Sequence, residues 1–171
     1  MARFTLADGI RLRSLLTKQV QELEQEMLRV AFTVAEKGQP LQDQKRGVED
    51  VDFEIKQVRQ DIMLLDRLIY EANIANAIDY QGEAIPLVEA IEYAMQLRAQ
   101  AKIYKQLGAS SKEQPEFGYG DTVAYMRYAR FEPDEYREKA LQYERNANKV
   151  SGLVNAQNYQ VELPFDASRY E

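Results

Sequence analysis

Residues 125–131, YMRYARF, interleave Tyr125, Arg127, Tyr128, Arg130 and Phe131. Rings and guanidinium groups alternating on a sheet can stack bases and neutralise phosphates, so this stretch could serve as a surface for single-stranded nucleic acid or a small anion. The same pattern suits a sheet face packed on a helix, with the Arg stems covering apolar area. The formal net charge of −6 favours packing over nucleic-acid binding. Two acidic runs, Glu22, Glu24 and Glu26 and then Glu49, Asp50, Asp52 and Glu54, offer oxygens of the kind hard cations take. Both lie off the apolar stripes, where a solvated charged face is the simpler reading. Asn73 and Asn76 could bind a ligand through paired amides or pin helix register, and they also suit a plain helix end.

Much other chemistry is absent from the composition. The chain has 171 residues, no Cys and no His. Disulfides, thiolate nucleophiles and sulfur-ligated zinc are excluded, as are a Ser-His-Asp triad and the Glu-x-x-His ligand pairs of di-iron bundles. No nucleophile elbow, P-loop or dinucleotide fingerprint is present. No enzyme activity, cofactor or metal site is therefore expected. The first residues lack a continuous apolar core followed by a small-residue cleavage site, and apolar runs such as IMLL break at charges within a few residues. A soluble cytoplasmic protein with no membrane partner is expected. The acidic balance makes nucleic acid a poor default partner.

The elements that would position these residues are mostly helical. Leu16, Val20, Leu23, Met27, Val30 and Val34 step by four and three, within a helix expected over residues 5–36. Val51, Ile55, Val58, Ile62, Leu65 and Ile69 do the same within a helix expected over residues 48–78, where Val48 and Ala72 extend the stripe. Residues 37–47 carry two Gly and one Pro and read as the connection. Two helices of matched length, each roughly 40 Å at 1.5 Å per residue, form an antiparallel hairpin closed along these two seams. Phe53, Leu64 and Leu68 on one helix, and Leu12, Leu15, Ala31 and Phe32 on the other, lie off the seam and call for a further layer.

Residues 72–86 read as a second break, with Pro86 at the start of a third helix over 85–107. Its expected apolar face is Leu87, Val88, Ile91, Ala94, Met95, Leu97, Ala101 and Tyr104. Residues 108–121 read as loop and 122–131 as a strand, with Val123, Tyr125, Ala129 and Phe131 on one face. A fourth helix follows, striped by Tyr136, Ala140, Tyr143, Ala147, Val150 and Val154. Tyr159, Val161, Leu163 and Phe165 alternate as a second strand, and the two strands flanking the fourth helix could pair in one small sheet, parallel or antiparallel and within one chain or between chains. Every one of the eleven Tyr residues follows residue 69, which makes the second half the place to look for contacts between copies.

The order of these features resembles a known family. A heptad helix runs into Val34, Gly38 and Pro40; a second heptad helix ends in the pair Asn73 and Asn76; then come a Gly-bearing turn, a helix, a strand and a last helix. This is similar to the DIP1984-like, or septicolysin-like, bacterial proteins of unknown function, over about residues 6–165. The residues after Asn76 and the segment EYAMQL depart from that pattern, and YQVELPF is longer than it requires. The resemblance implies an α-helical, oligomeric protein and carries no catalytic residue with it.

The expected architecture is mainly α, an α-rich α+β protein. A long antiparallel coiled-coil helical hairpin (residues 1–82) would join a helix-strand-helix-strand module (residues 83–171) packed on it as a single structural unit, with a small two-stranded β element. The expected function is that of a non-enzymatic structural or scaffold protein, a homo-oligomer that self-assembles through helical-hairpin seams. One alternative is a nucleic-acid or small-anion binding module using strand 122–131. Another is the membrane activity that the family label suggests, for which the residues supply no spanning segment.

Overall fold

A computed structural model describes residues 3–41, 44–116 and 125–170. They form four α-helices and two small antiparallel sheets of two strands each, so the chain is mainly α with a small β content, as expected. It divides into two compact units, one made of residues 1–76 and 158–171, the other of residues 77–157.

The first unit is built on α1 (Leu6–Val30) and α2 (Val48–Ala75). Thr5 starts α1 with a reciprocal capping box. Its hydroxyl accepts from the Asp8 amide at 3.3 Å, and the Asp8 carboxylate accepts from the Thr5 amide at 3.0 Å. The Thr5 hydroxyl also donates to the Asp8 carboxylate at 2.7 Å, and that bond, with the one from the Thr5 amide, holds the Asp8 carboxyl below its ordinary pKa. Leu16, Val20, Leu23, Val51, Ile55, Val58 and Leu65 form one buried cluster, with Met27, Val30, Ile62 and Ile69 packed against it. Ion pairs Arg13–Asp66 at 2.9 Å and Arg59–Glu24 at 2.6 Å set the antiparallel register.

The helix expected over 5–36 ends at Val30, and Ala31 is its C-cap. Val34, expected in the seam, is fully exposed outside the helix. Gly47 caps α2 and α2 begins only at Val48, so the last repeat of the α1 stripe has no aliphatic partner. Without that burial, the propensity of the Phe-Thr-Val run is too weak to prolong the helix.

After α4 the chain returns to this unit. The Leu6 amide donates to the Val161 carbonyl at 2.8 Å, and the Leu163 amide to the Phe4 carbonyl at 2.9 Å. Val161 and Leu163 are buried, and Leu163 lies where a β-carbon on Gly9 would sit. The expected strand over 159–165 is thus a turn at residues 159–160 followed by irregular chain with one isolated bridge, Thr5–Glu162. Among the described residues it does not pair with the expected strand of residues 122–131, whose described part pairs elsewhere. Its two buried side chains find their place beside the start of α1 instead.

The second unit opens with a hairpin absent from the sequence reading. β1 (Ala77–Tyr80) pairs with β2 (Glu83–Pro86), Tyr80 opposite Glu83. Gln81 and Gly82 make the turn with φ of +57° and +84°, both in the left-handed region that a tight hairpin turn demands. The second helix was expected to reach residue 78 and instead stops at Ala75, because Ile78 and Tyr80 are buried on one face of β1. The expected division at residue 82 falls inside this turn.

α3 (Leu87–Gly108) and α4 (Pro133–Asn158) run antiparallel, as the contacts Arg98–Ser151 at 2.7 Å and Lys105–Glu144 at 3.9 Å show. The buried residues of α3 are Leu87, Ala90, Ala94, Leu97, Ala101 and Gly108. Those of α4 are Ala140, Ala147, Val150 and Val154. This is a heptad seam made largely of alanine. Val88, Ile91 and Met95, expected on the buried face, are exposed. Small residues let two backbones approach closely, and the bulkier aliphatics are left to one side. Tyr104 stacks edge-on against Tyr136 and Tyr143, with ring centroids 5.3 and 5.1 Å apart.

Candidate functional site

The Arg/Tyr stretch lies on a free-standing ribbon. β3 (Glu113–Glu116) pairs with β4 (Tyr125–Tyr128), in the register Glu113–Tyr128, Gln114–Arg127, Pro115–Met126 and Glu116–Tyr125. β3 was read as loop. It is polar and carries Pro115, so nothing in its own composition marks a strand. Residues 117–124, which include Val123 and the first part of the expected strand, lie outside the described residues.

Every residue of β3 and β4 is exposed. The expectation of a sheet face packed on a helix therefore fails for the described part. Tyr125 and Arg127 stand on one face with Glu116 and Gln114; Met126 and Tyr128 stand on the other with Pro115 and Glu113. Arg130 is exposed beyond the strand. Phe131 leaves the ribbon and packs edge-on against Tyr136, centroids 5.2 Å apart. Lys112 anchors the base of the ribbon, donating to the Phe131 carbonyl at 3.0 Å and pairing with Glu132.

Asn73 and Asn76 play separate parts. Asn76 is the C-cap of α2, and both its amide and its side-chain Nδ2 donate to the Ala72 carbonyl, at 3.1 and 2.9 Å. Asn73 is half-buried in the last turn, with its Oδ1 shielded and unpaired among the described residues. The pair does not present two amides to one ligand. The acidic runs do not converge either: among the described residues no group of three carboxylates could hold a metal ion. Glu24 is paired with Arg59, Glu26 and Glu54 with Arg46, and Asp52 with Lys56.

The first unit also holds a cleft of about 450 Å³ between the start of α1 and the C-terminal segment. Its apolar lining includes Phe4, Leu12, Leu15, Phe165 and Tyr170. The Phe4 and Phe165 rings stack with centroids 5.4 Å apart. Its polar rim is already satisfied internally: Arg3 pairs with Glu162, Arg11 with Asp8 at 2.6 Å, and Asp166 accepts from the Ser168 amide at 3.0 Å. The Tyr170 hydroxyl donates to the Asp61 carboxylate. Burial, then that hydrogen bond and the nearby charge, push its pKa up to about 12. The sequence reading did not single out this cleft, because its residues are spread between positions 3–15 and 165–170.

These features define a protein of two antiparallel helix pairs and two β-ribbons, with paired surface charges and an exposed aromatic ribbon. The fold is similar to that of a functionally unknown conserved protein from Corynebacterium diphtheriae, solved by crystallography. The match has a TM-score of 0.67 at 21% sequence identity and covers 95% of this chain and 99% of that one. No protein family and no curated protein matches the chain. Among the described residues no helix is long and apolar enough to cross a membrane.

Proposed function

We propose that this is a non-enzymatic structural or scaffold protein whose copies assemble with one another. The observation that carries the reading is an excess of apolar surface after the intramolecular seams are closed. On α2, Met63, Tyr70 and Ile74 share a face at steps of seven and four, and all three are exposed. On α3, Val88, Ile91 and Met95 form a second exposed stripe beside the alanine seam. Two such stripes, together with the open ribbon, are what surfaces between copies supply. Since the residues of the α1–α2 seam pack against each other within one chain, assembly would use these flanking stripes rather than the seam itself.

Sedimentation equilibrium between about 5 and 200 μM tests this reading, a range that detects weak association. A mass above that of one chain is expected, and a monomeric mass throughout overturns the reading. Membership in the DIP1984-like family belongs to the same proposal. It is supported by the motif order and by the likeness to the conserved protein of unknown function from Corynebacterium diphtheriae.

A second reading, nucleic-acid or small-anion binding on the ribbon, is favoured by the exposure of Tyr125, Arg127, Tyr128 and Arg130. Glu116 and Glu113, directly opposite Tyr125 and Tyr128, weaken it through their charge. Filter binding of a single-stranded oligonucleotide across salt decides the matter: binding that fades as salt rises supports the ribbon reading, and none at low salt removes it.

A further inference from the structure

The ribbon has two outer edges, and they differ chemically. In an antiparallel pair, residues alternate between those that exchange hydrogen bonds across the pair and those whose backbone groups point outward. The Ala129 amide donates to the Lys112 carbonyl at 2.8 Å. Counting on from that pair, Gln114–Arg127 and Glu116–Tyr125 also exchange bonds across the ribbon, whereas Glu113–Tyr128 and Pro115–Met126 point outward. The outer edge of β3 therefore offers Pro115, which has no N–H to donate. The outer edge of β4 offers the complete amides and carbonyls of Met126 and Tyr128. Among the described residues β4 has no strand on that side.

A two-stranded ribbon without a covering layer is marginal in water. This one leaves Tyr125, Met126 and Tyr128 51%, 42% and 60% exposed. An open edge bearing apolar side chains is a template for a further strand. The proline confines that template to β4.

The geometry points to a second copy of this chain as the occupant, with β4 pairing antiparallel to the partner's β4 about a two-fold axis at Met126. Resting on the self-assembly reading above, this names one surface it uses besides the helical stripes. The axis places Tyr125 opposite the partner's Arg127, and Arg127 opposite the partner's Tyr125. Across the sheet one face then runs Glu116, Tyr125, the partner's Arg127, the partner's Gln114. Cation–π and charge complementarity both favour that row. The other face sets Pro115 and Met126 against the partner's Met126 and Pro115, an apolar strip. Moving the axis by one residue, to Arg127, would oppose two like charges, which disfavours that register. The product is a closed, four-stranded sheet whose two outer edges both carry Pro115, so it does not propagate into fibres.

Met126→Pro tests this. Met126, like Pro115 opposite it, makes no hydrogen bond across the ribbon, so the substitution removes one outward donor and leaves the hairpin paired. The variant is compared with the wild-type chain by sedimentation velocity, with circular dichroism to confirm folding. The expected result is a wild-type oligomer whose mass falls by a factor of about two in the variant, as loss of a two-fold contact requires. An oligomeric wild type and a folded variant of equal mass overturn the edge pairing and leave the self-assembly reading standing. A monomeric wild type overturns both. Should Met126→Pro fail to fold, single-cysteine chains decide, since the protein has no cysteine of its own. With a short bifunctional thiol reagent, Met126→Cys is expected to give covalent dimer and Glu113→Cys, on the opposite edge, little. Equal or reversed yields overturn the pairing.

Discussion

Gly108 lies directly against the backbone of Arg137. A β-carbon at position 108 would come within 2.8 Å of the Arg137 amide nitrogen and 2.9 Å of its Cα. The Arg137 guanidinium donates to the Gly108 carbonyl at 2.9 Å, which satisfies an end group of α3 with a residue of α4. The contact joins the C-terminal end of one helix to the N-terminal end of the other, where the alanine seam closes.

Gly108→Ala is accordingly expected to destabilise the second unit. The clash is with backbone rather than with a movable side-chain tip, so α3 and α4 must separate. Overpacking of this kind costs about 1–3 kcal/mol. Urea unfolding followed by circular dichroism reads it, and an unchanged midpoint would mean the helices are not held this closely.

The first seam gives a paired prediction. Leu65 is fully buried in the α1–α2 cluster, and Leu65→Ala should cost about 2–5 kcal/mol. Val34 carries the same heptad spacing but is fully exposed, and Val34→Ala should change stability by less than about 0.5 kcal/mol. Equal effects at the two positions would return Val34 to the seam.

The Thr5–Asp8 capping box sets an acid limit. Thr5→Ala is expected to cost about 1 kcal/mol at neutral pH, the usual loss for an N-cap. Because the folded state lowers the Asp8 pKa, its contribution is present above the ordinary value of 3.8 and is lost as the pH falls below it, toward the lowered folded pKa. The difference between wild-type and Asp8→Asn stability should therefore shrink on acidification below that value. A difference that stays constant would show that the carboxylate is not engaged.

Tyr170 sets the alkaline counterpart. Its folded pKa, up to about 12, stands above the ordinary 10.0. The neutral hydroxyl is thus the form the fold favours, and its contribution is complete below about 10 and lost as the pH rises through 12. Absorbance titration of tyrosinate, with Tyr170→Phe as the difference sample, should show a late-titrating ring in the difference between the two curves. Loss of the late phase from the variant but not from wild type assigns it to Tyr170; an identical curve in both rejects the assignment.

The turn of β1–β2 holds Gln81 at a φ of +57°, where a side-chain-bearing residue is strained and asparagine is tolerated best. Gln81→Asn should raise the unfolding free energy by about 0.5 kcal/mol, the lower end for an optimised local substitution. A fall in melting temperature would contradict the turn geometry.

The seam of the first unit was legible in advance because a helix repeats every 3.6 residues and the repeat is a local property of the chain. Leu16, Val20 and Leu23 had to share a stripe, as had Val51, Ile55 and Val58, and two stripes joined by a polar connection close on each other. The mainly helical class and the absence of cysteine and histidine chemistry were equally plain. The ribbon's Arg and Tyr residues could be named, but not whether they were covered.

Which stripe of α3 would be buried could not be decided by hydrophobicity. Val88, Ile91 and Met95 are more apolar than Ala90, Ala94 and Ala101, yet the alanines are buried, because close approach of two backbones rewards smallness. The end of α1 at Val30 depended on where α2 begins. Strand pairing depended on partners distant in the chain: β3 is marked by β4, and Leu163 is placed by Gly9 and the Phe4 carbonyl. Local periodicity therefore determined which residues belong together on one element. Only tertiary packing decided which of those faces meet another element and which are left open at the edge of β4.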